Sequence, residues 1–306
     1  MNRTILEIKN LGDVRTYGAK LDEHQKIDSY IKNGDDFKQV KDHQFVWNIS
    51  KGRISNSVTK NFQLIQHRDI FSTVHDALSN LNLQVKGRLD DFEDMVRADL
   101  VFQNQDLVND GEKGIQLGIR VINSNNKRSS FRLEMYAFRL ICQNGMSIGS
   151  MIPGVRDIQI HYGLEKIEFA KVQVMVEKFV KKVINHSNSL QKLVNLSMKD
   201  SVEWNIVETI MKKAIHSQKF MKEIAKRLEV DVVEVIDKKN PKKVNLQFIP
   251  KKNQKISRWD LYNAITNLIS HDEQLKPTAQ NSLEESSRKI LKNNFGKLQE
   301  LYVITP

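Results

Sequence analysis

The sequence predicts an α+β fold. A helix, an antiparallel β-meander and a long helix make the core, and a mainly helical C-terminal region follows. Three observations predict it. Between residues 83 and 143, four segments alternate apolar and polar side chains, the period of a strand. Before and after that run, apolar residues fall at three-and-four spacing, the period of a helix. The alternating segments are joined by turn-forming residues at Asp90-Asp91, Asn109-Asp110-Gly111 and Ser124–Lys127.

In chain order, residues 1–60 are polar and weakly periodic. They predict a loose N-terminal segment with one or two short strands near Phe45-Val46-Trp47. Phe62–Gln66 roughly alternates and predicts a strand. Asp69–Leu81 predicts a helix through Ile70, Val74, Ala77, Leu78 and Leu81. The four strands are expected at about 83–89, 92–104, 114–123 and 129–142. One parity of these strands is apolar: Val96, Ala98, Leu100 and Phe102; Ile115, Leu117, Ile119 and Val121; Phe131, Leu133 and Met135. Residues 163–197 predict one long or two broken amphipathic helices, and 203–228 repeat the pattern. Pro241 and Pro250 make the basic stretch 238–258 a loop or short hairpin. Ser257 caps a further helix, with Asp260 reaching back, and another is expected near 283–301. The expected division is an N-terminal segment 1–60, an α+β core 61–200 and a basic C-terminal region 201–306.

Composition narrows the function. The 306 residues carry a formal net charge of +11. Residues 1–150 contribute +2 and residues 151–306 contribute +9. The densest stretch holds Lys238, Lys239, Lys242, Lys243, Lys251, Lys252, Lys255 and Arg258 without one acid. Such a field attracts polyanions, nucleic acid or an anionic membrane surface. The single cysteine, Cys142, excludes an intramolecular disulfide and a cysteine-built zinc site. No apolar run approaches the ~18 residues of a membrane span, and the N-terminus lacks a secretory pattern. A cytoplasmic protein without a membrane partner is expected.

The second parity of the strands bears on binding. It carries Arg88, Arg97, Arg120 and Arg132 with the aromatics Tyr136 and Phe138. Arginines among aromatics suit a phosphate backbone with stacked bases. Glu93, Asp99 and Glu134 share this parity and allow the other reading, a solvated face of internal ion pairs. No catalytic constellation has specific spacing. The loop Gln143–Gly154 lacks the Gly-Lys-Ser/Thr ending of a phosphate loop. The eight histidines form no HExxH pair, and no GxSxG elbow occurs. The run Asp90–Asp94 reads as an acidic turn between strands rather than a cation site. No metal and no cofactor is expected.

Two segments carry a resemblance. Gly118-Ile-Arg-Val-Ile-Asn-Ser124, followed by Arg139-Leu-Ile-Cys-Gln-Asn-Gly-Met146, resembles the signature of the Domain of Unknown Function 932 family. Trp259-Asp-Leu-Tyr-Asn-Ala-Ile-Thr-Asn-Leu-Ile-Ser-His271 is similar to a late segment of that family. The likeness covers roughly residues 60–275. It implies a phage- or plasmid-associated context and hands over no activity. Element order also resembles single-strand annealing proteins of the Rad-fifty-two type, a likeness of topology alone.

The expectation is therefore a protein that binds single-stranded DNA, or RNA, in recombination or replication of a mobile element. It would act as a homo-oligomer, for instance a ring. Arg88, Arg97, Arg120, Arg132 and the Lys238–Arg258 stretch would hold phosphates, and Tyr136 and Phe138 would stack bases. The alternative is a non-catalytic protein-interaction factor of a phage or plasmid, in defence or anti-defence. An enzyme built from distant residues such as Asp99, Arg139 and His161 is a third class without a specified reaction.

Overall fold

In a computed structural model of the chain, the described residues are 4–103, 105, 107–110, 114–126, 131–139, 144–147, 158–160, 168–215, 217–236, 244–271 and 277–295. They fold as α+β, as the periodicities require, and divide into two compact units. The first comprises residues 1–107, 116–137 and 154–186; the second comprises 108–115, 138–153 and 187–306. This division differs from one at 60 and 200, because the N-terminal residues fold with the meander and the chain passes between the units more than once.

The first unit is organised by an antiparallel sheet. Its central strands are β5 (Val85–Asp91), β6 (Met95–Phe102), β7 (Ile115–Ser124) and β8 (Phe131–Arg139), neighbours in chain order as a meander requires. The N-terminal strand β1 (Thr4–Ile8) pairs with β5 at one edge, and β10 (Ile158–Ile160) pairs with β8 at the other. Helices α1 (Leu11–Gly18), α2 (His67–Asn80) and α3 (Phe169–Asn185) pack on one another, α2 touching both others. Asn10 and Asp13 form a reciprocal capping box at the start of α1.

The N-terminal 60 residues are more ordered than their weak periodicity suggests. Besides β1 and α1 they contain a second antiparallel sheet of β2 (His24–Asn33), β3 (Asp36–Asn48) and β4 (Arg53–Thr59). Val46, Val58 and Phe62 form its buried cluster. Phe62–Gln66 is not a strand. Its buried residues, Phe62 and Ile65, lie three apart rather than two. Side chains satisfy its backbone instead: Lys26 Nζ donates to the Phe62 carbonyl at 3.0 Å, and Asn123 Nδ2 to the Ile65 carbonyl at 3.2 Å.

The second unit is mainly helical among its described residues. The amphipathic run after residue 163 breaks at His186, giving α3 and then α4 (Ser187–Lys199). The next run is also two helices, α5 (Trp204–Ala214) and α6 (Gln218–Arg227). A hairpin of β12 (Asp231–Ile236) and β13 (Val244–Ile249) follows, and a short pair joins β11 (Ser201–Glu203) to β14 (Lys255–Ser257). Helices α7 (Arg258–His271) and α8 (Pro277–Lys292) close the unit. The expected cap of α7 is present: Ser257 Oγ accepts from Asp260 N at 3.0 Å, and Asp260 Oδ2 accepts from Ser257 N at 3.3 Å. Strand β9 (Asn144–Ser147) lies against α7.

Strands β6 and β7 approach too closely at one point to tolerate a side chain. A Cβ at Gly118 would lie 2.0 Å from the carbonyl oxygen of Leu100. Gly118→Ala should therefore force the two backbones apart and cost ~1–3 kcal/mol. The expected result in denaturant unfolding is a lower midpoint at unchanged slope.

Candidate functional site

The meander places the predicted binding arginines in rows across neighbouring strands. Asp90 on β5 lies opposite Arg97 on β6, and Arg88 on β5 lies opposite Asp99, which lies opposite Arg120 on β7. Both parities of β6 and β7 are buried, so these charges are removed from water. Arg120 donates from Nε at 2.6 Å and Nη2 at 3.0 Å to the two oxygens of Asp99. Arg97 donates from Nε at 3.1 Å and Nη2 at 2.6 Å to Asp90 Oδ2. Burial pushes the Asp99 carboxyl up, but Arg120, Arg97 and Arg88 outweigh it and hold it well below the usual carboxylate range.

Tyr136 is buried beneath this network, with the Arg120 guanidinium 5.1 Å from its ring centre. Burial raises its phenol far above the ordinary value. Tyr136 is thus no platform for bases, and Arg97 and Arg120 present no open phosphate face. Arg88 and Arg132 are half-buried, beside Asp90 at 3.4 Å and Glu134 at 3.3 Å. Phe138 is half-buried at the end of β8. The face reads as internal ion pairs. Asp90, Asp99 and Glu134 are the partners, whereas Glu93 turns to Arg53 at 2.6 Å.

A second polar centre in this unit forms at the acidic turn that ends in Asp94, with partners that the sequence does not reveal. Asp94, in the tight turn between β5 and β6, is buried. Its Oδ1 accepts from Ser55 Oγ at 2.6 Å, His24 Nε2 at 3.0 Å and Asn48 Nδ2 at 3.2 Å. Its Oδ2 accepts from Arg53 Nη2 at 3.0 Å. Burial alone would raise this carboxyl; His24, Ser55, Asn48 and Arg53 together hold it well below the usual range. A carboxylate with four donors is a joint rather than a poised acid or base. Beside it, His67 is fully buried and hydrogen-bonds Asn123 Nδ2 through Nδ1 at 2.9 Å. Asn123 and Ser124, the Asn-Ser of the family-like signature, end β7 at this centre.

The later signature residues belong to the second unit. Arg139 Nε donates to Asp110 Oδ2 at 2.5 Å, and Asp110 Oδ1 accepts from Gly114 N at 2.9 Å. The Asn-Gly-Met of β9 and the Trp259–His271 segment, which is nearly all of α7, pack against each other. Trp259 stacks on Tyr262 at 5.3 Å. The two motif segments, far apart in sequence, thus make one structural element pair.

The basic stretch divides. Arg258 is buried and donates from Nη1 to the carbonyls of Leu291 at 2.6 Å and Asn293 at 3.0 Å, with Asp200 at 3.2 Å. It braces α7 against the end of α8 and is not a phosphate contact. Lys251, Lys252 and Lys255 are exposed, Lys251 beside Glu229 at 2.6 Å. Lys238, Lys239, Lys242 and Lys243 lie outside the described residues, as do Cys142 and His161. Sequence reading missed Lys219, Lys222 and Lys226, exposed along one side of α6. Their spacing of three and four was the available signal. Lys222 pairs with Glu234 of β12 at 2.8 Å; no ion pair joins Lys219 or Lys226 to an acid among the described residues. Phe248 of β13 packs on Trp204 of α5 at 5.5 Å, fixing the hairpin to the helices. Among the described residues, no group of three or more His, Cys, Asp or Glu could hold a metal ion, and no helix is long and apolar enough to cross a membrane.

Residues 55–291 match the family described as Domain of unknown function (DUF932). No curated protein and no solved structure matches the chain. The likeness in element order to Rad-fifty-two-type annealing proteins is accordingly without support. The buried arginine rows also remove the open sheet face that such a groove would need.

The polar centre gives stability a pH dependence. Burial, then the nearby His24, push His67 down to about 3 from an ordinary 6.5, against the opposing pull of Asp94. The unfolded imidazole takes up a proton that the folded one refuses. Stability should therefore fall as the pH drops below about 6.5, by up to ~1.4 kcal/mol per pH unit for this one proton. Chemical denaturation between pH 7.5 and 5, above the carboxylate range, should show that slope in the native chain and not in His67→Gln.

Proposed function

The chain belongs to the DUF932 family, and on that premise we propose that it is a cytoplasmic nucleic-acid-binding protein, acting on single strands in recombination or replication of a mobile element. The observation that carries this reading is the exposed lysine side of α6, on the unit with the larger net positive charge. Lys219, Lys222 and Lys226 share that side. Lys251, Lys252 and Lys255 follow on exposed backbone of the same unit. The sequence adds Lys238, Lys239, Lys242 and Lys243 between β12 and β13. Phosphate contacts dominate such affinity and make it steeply salt-dependent. A homo-oligomer, for instance a ring, would add avidity along a strand.

A second reading, a protein-interaction factor of a phage or plasmid, has one observation in its favour. Val233, Val235 and Ile249 are exposed on a single face of the β12–β13 hairpin. A partner captured from the host and retained after nuclease treatment would favour it.

Binding to labelled oligonucleotides, followed by anisotropy across a range of salt, tests the first reading. Replacing both Lys219 and Lys226 by Ala should weaken binding to every sequence and lower the slope of log affinity against log salt by about 2, about one per phosphate contact. An unchanged slope would remove α6 from the interface.

A further inference from the structure

Strands β2 and β3 extend beyond the sheet they belong to. Strand β4 pairs with β3 only between His43 and Asn48. From Tyr30 to Gln39 the hairpin is a two-stranded arm, and every side chain described on it is exposed. Its turn is Gly34-Asp35, with Gly34 at φ +65°, the conformation two-residue hairpin turns require at that position. The arm is therefore a built element rather than a frayed end.

Its tip carries large side chains that a solvent-facing ribbon does not need. Phe37 is 71% exposed, Ile31 57% and Tyr30 53%. The register sorts them. Tyr30 lies opposite Gln39 and Lys32 opposite Phe37, so these four share one face. Ile31, Asp36 and Lys38 share the other. The first face has two aromatic rings on a diagonal, with Lys32 beside both, next after Tyr30 on that face of β2 and opposite Phe37, and no carboxylate. Diagonal neighbours in a ribbon lie about 7–8 Å apart, within reach of one another's large side chains.

We infer that this face is a stacking platform for the bases of a single-stranded nucleic acid, with Tyr30 and Phe37 under neighbouring bases and Lys32 against the phosphate between them. The inference rests on the nucleic-acid reading above and deepens it by placing base contacts. Only a single strand offers ring faces for stacking, because a duplex buries them. The absence of an acid on this face and the presence of Lys32 favour a polyanion over an apolar protein groove. The role assigned from sequence to Tyr136 and Phe138 passes to the exposed pair.

The test uses the full chain, an oligothymidine, an oligonucleotide carrying 2-aminopurine and a duplex of equal length. Tyr30→Ala/Phe37→Ala removes two exposed rings, and unchanged thermal unfolding establishes that it folds. The expected result is at least a tenfold loss of single-strand affinity, loss of the 2-aminopurine fluorescence quench, and unchanged duplex affinity. Tyr30→Phe/Phe37→Tyr should retain both affinity and quench. The Lys219→Ala/Lys226→Ala variant, in contrast, should weaken single strands and duplex alike. Equal single-strand affinity in the native chain and the Ala variant overturns the arm while leaving the nucleic-acid reading in place. A shift in oligomeric state without loss of quench assigns the arm to a second copy and overturns it too. A native chain that binds no oligonucleotide at low salt overturns both.

Discussion

Opposite charges paired across the strands of a doubly buried sheet are the constraint on which this structure turns. A sheet covered on both faces needs apolar residues on both, or polar residues that fully satisfy one another. Strands β6 and β7 take the second course on one parity, with Asp90 of β5 supplying one of the partners. Arg97 is committed to Asp90 and Arg120 to Asp99, with two hydrogen bonds in each pair. Such pairs gain little net stability over apolar packing, but removing one partner strands a charge and costs ~3–5 kcal/mol. The residues are thereby fixed as a set, and with them the register of the meander. The same commitment takes these arginines out of any contact with a polyanion.

The Asp94 centre applies this logic where two sheets meet within the first unit. Its donors come from β2, β3 and β4, while Asp94 itself sits in a turn of the large sheet. One carboxylate therefore fixes the base from which the β2–β3 arm extends. Asn123 and Ser124 lie in this centre, Arg139 anchors Asp110, and β9 meets α7. The described parts of the two motif segments thus lie where the chain is held, and the exposed lysines and aromatics lie elsewhere.

Much of the architecture was legible in the sequence because it depends on local period. The meander, α2, the paired helices after residue 163 and the Ser257 cap all follow from spacing within a dozen residues. What was not legible depends on partners far along the chain. The second parity of β6 shows which side Arg97 and Asp99 share, but not whether that side is covered. Phe62–Gln66 alternates roughly, yet its backbone is satisfied by Lys26 and Asn123, so it has no use for a ladder. The N-terminal strands contain polar and charged residues on both faces, as an exposed arm allows, and so lack the alternation that would reveal them. His24 and Asp94 are 70 residues apart and are ordinary residues until the fold joins them.

The account separates charges that hold the fold from side chains that meet a ligand, and photocrosslinking tests that separation most directly. A single-stranded oligonucleotide with photoreactive bases would be irradiated on the native chain and the attached peptides identified by mass spectrometry. The account predicts attachment to the arm between Tyr30 and Gln39, and to peptides of the second unit around α6 and Lys251–Lys255. Attachment confined to β5–β8, at the peptides bearing Arg88, Arg97, Arg120 and Tyr136, would contradict it.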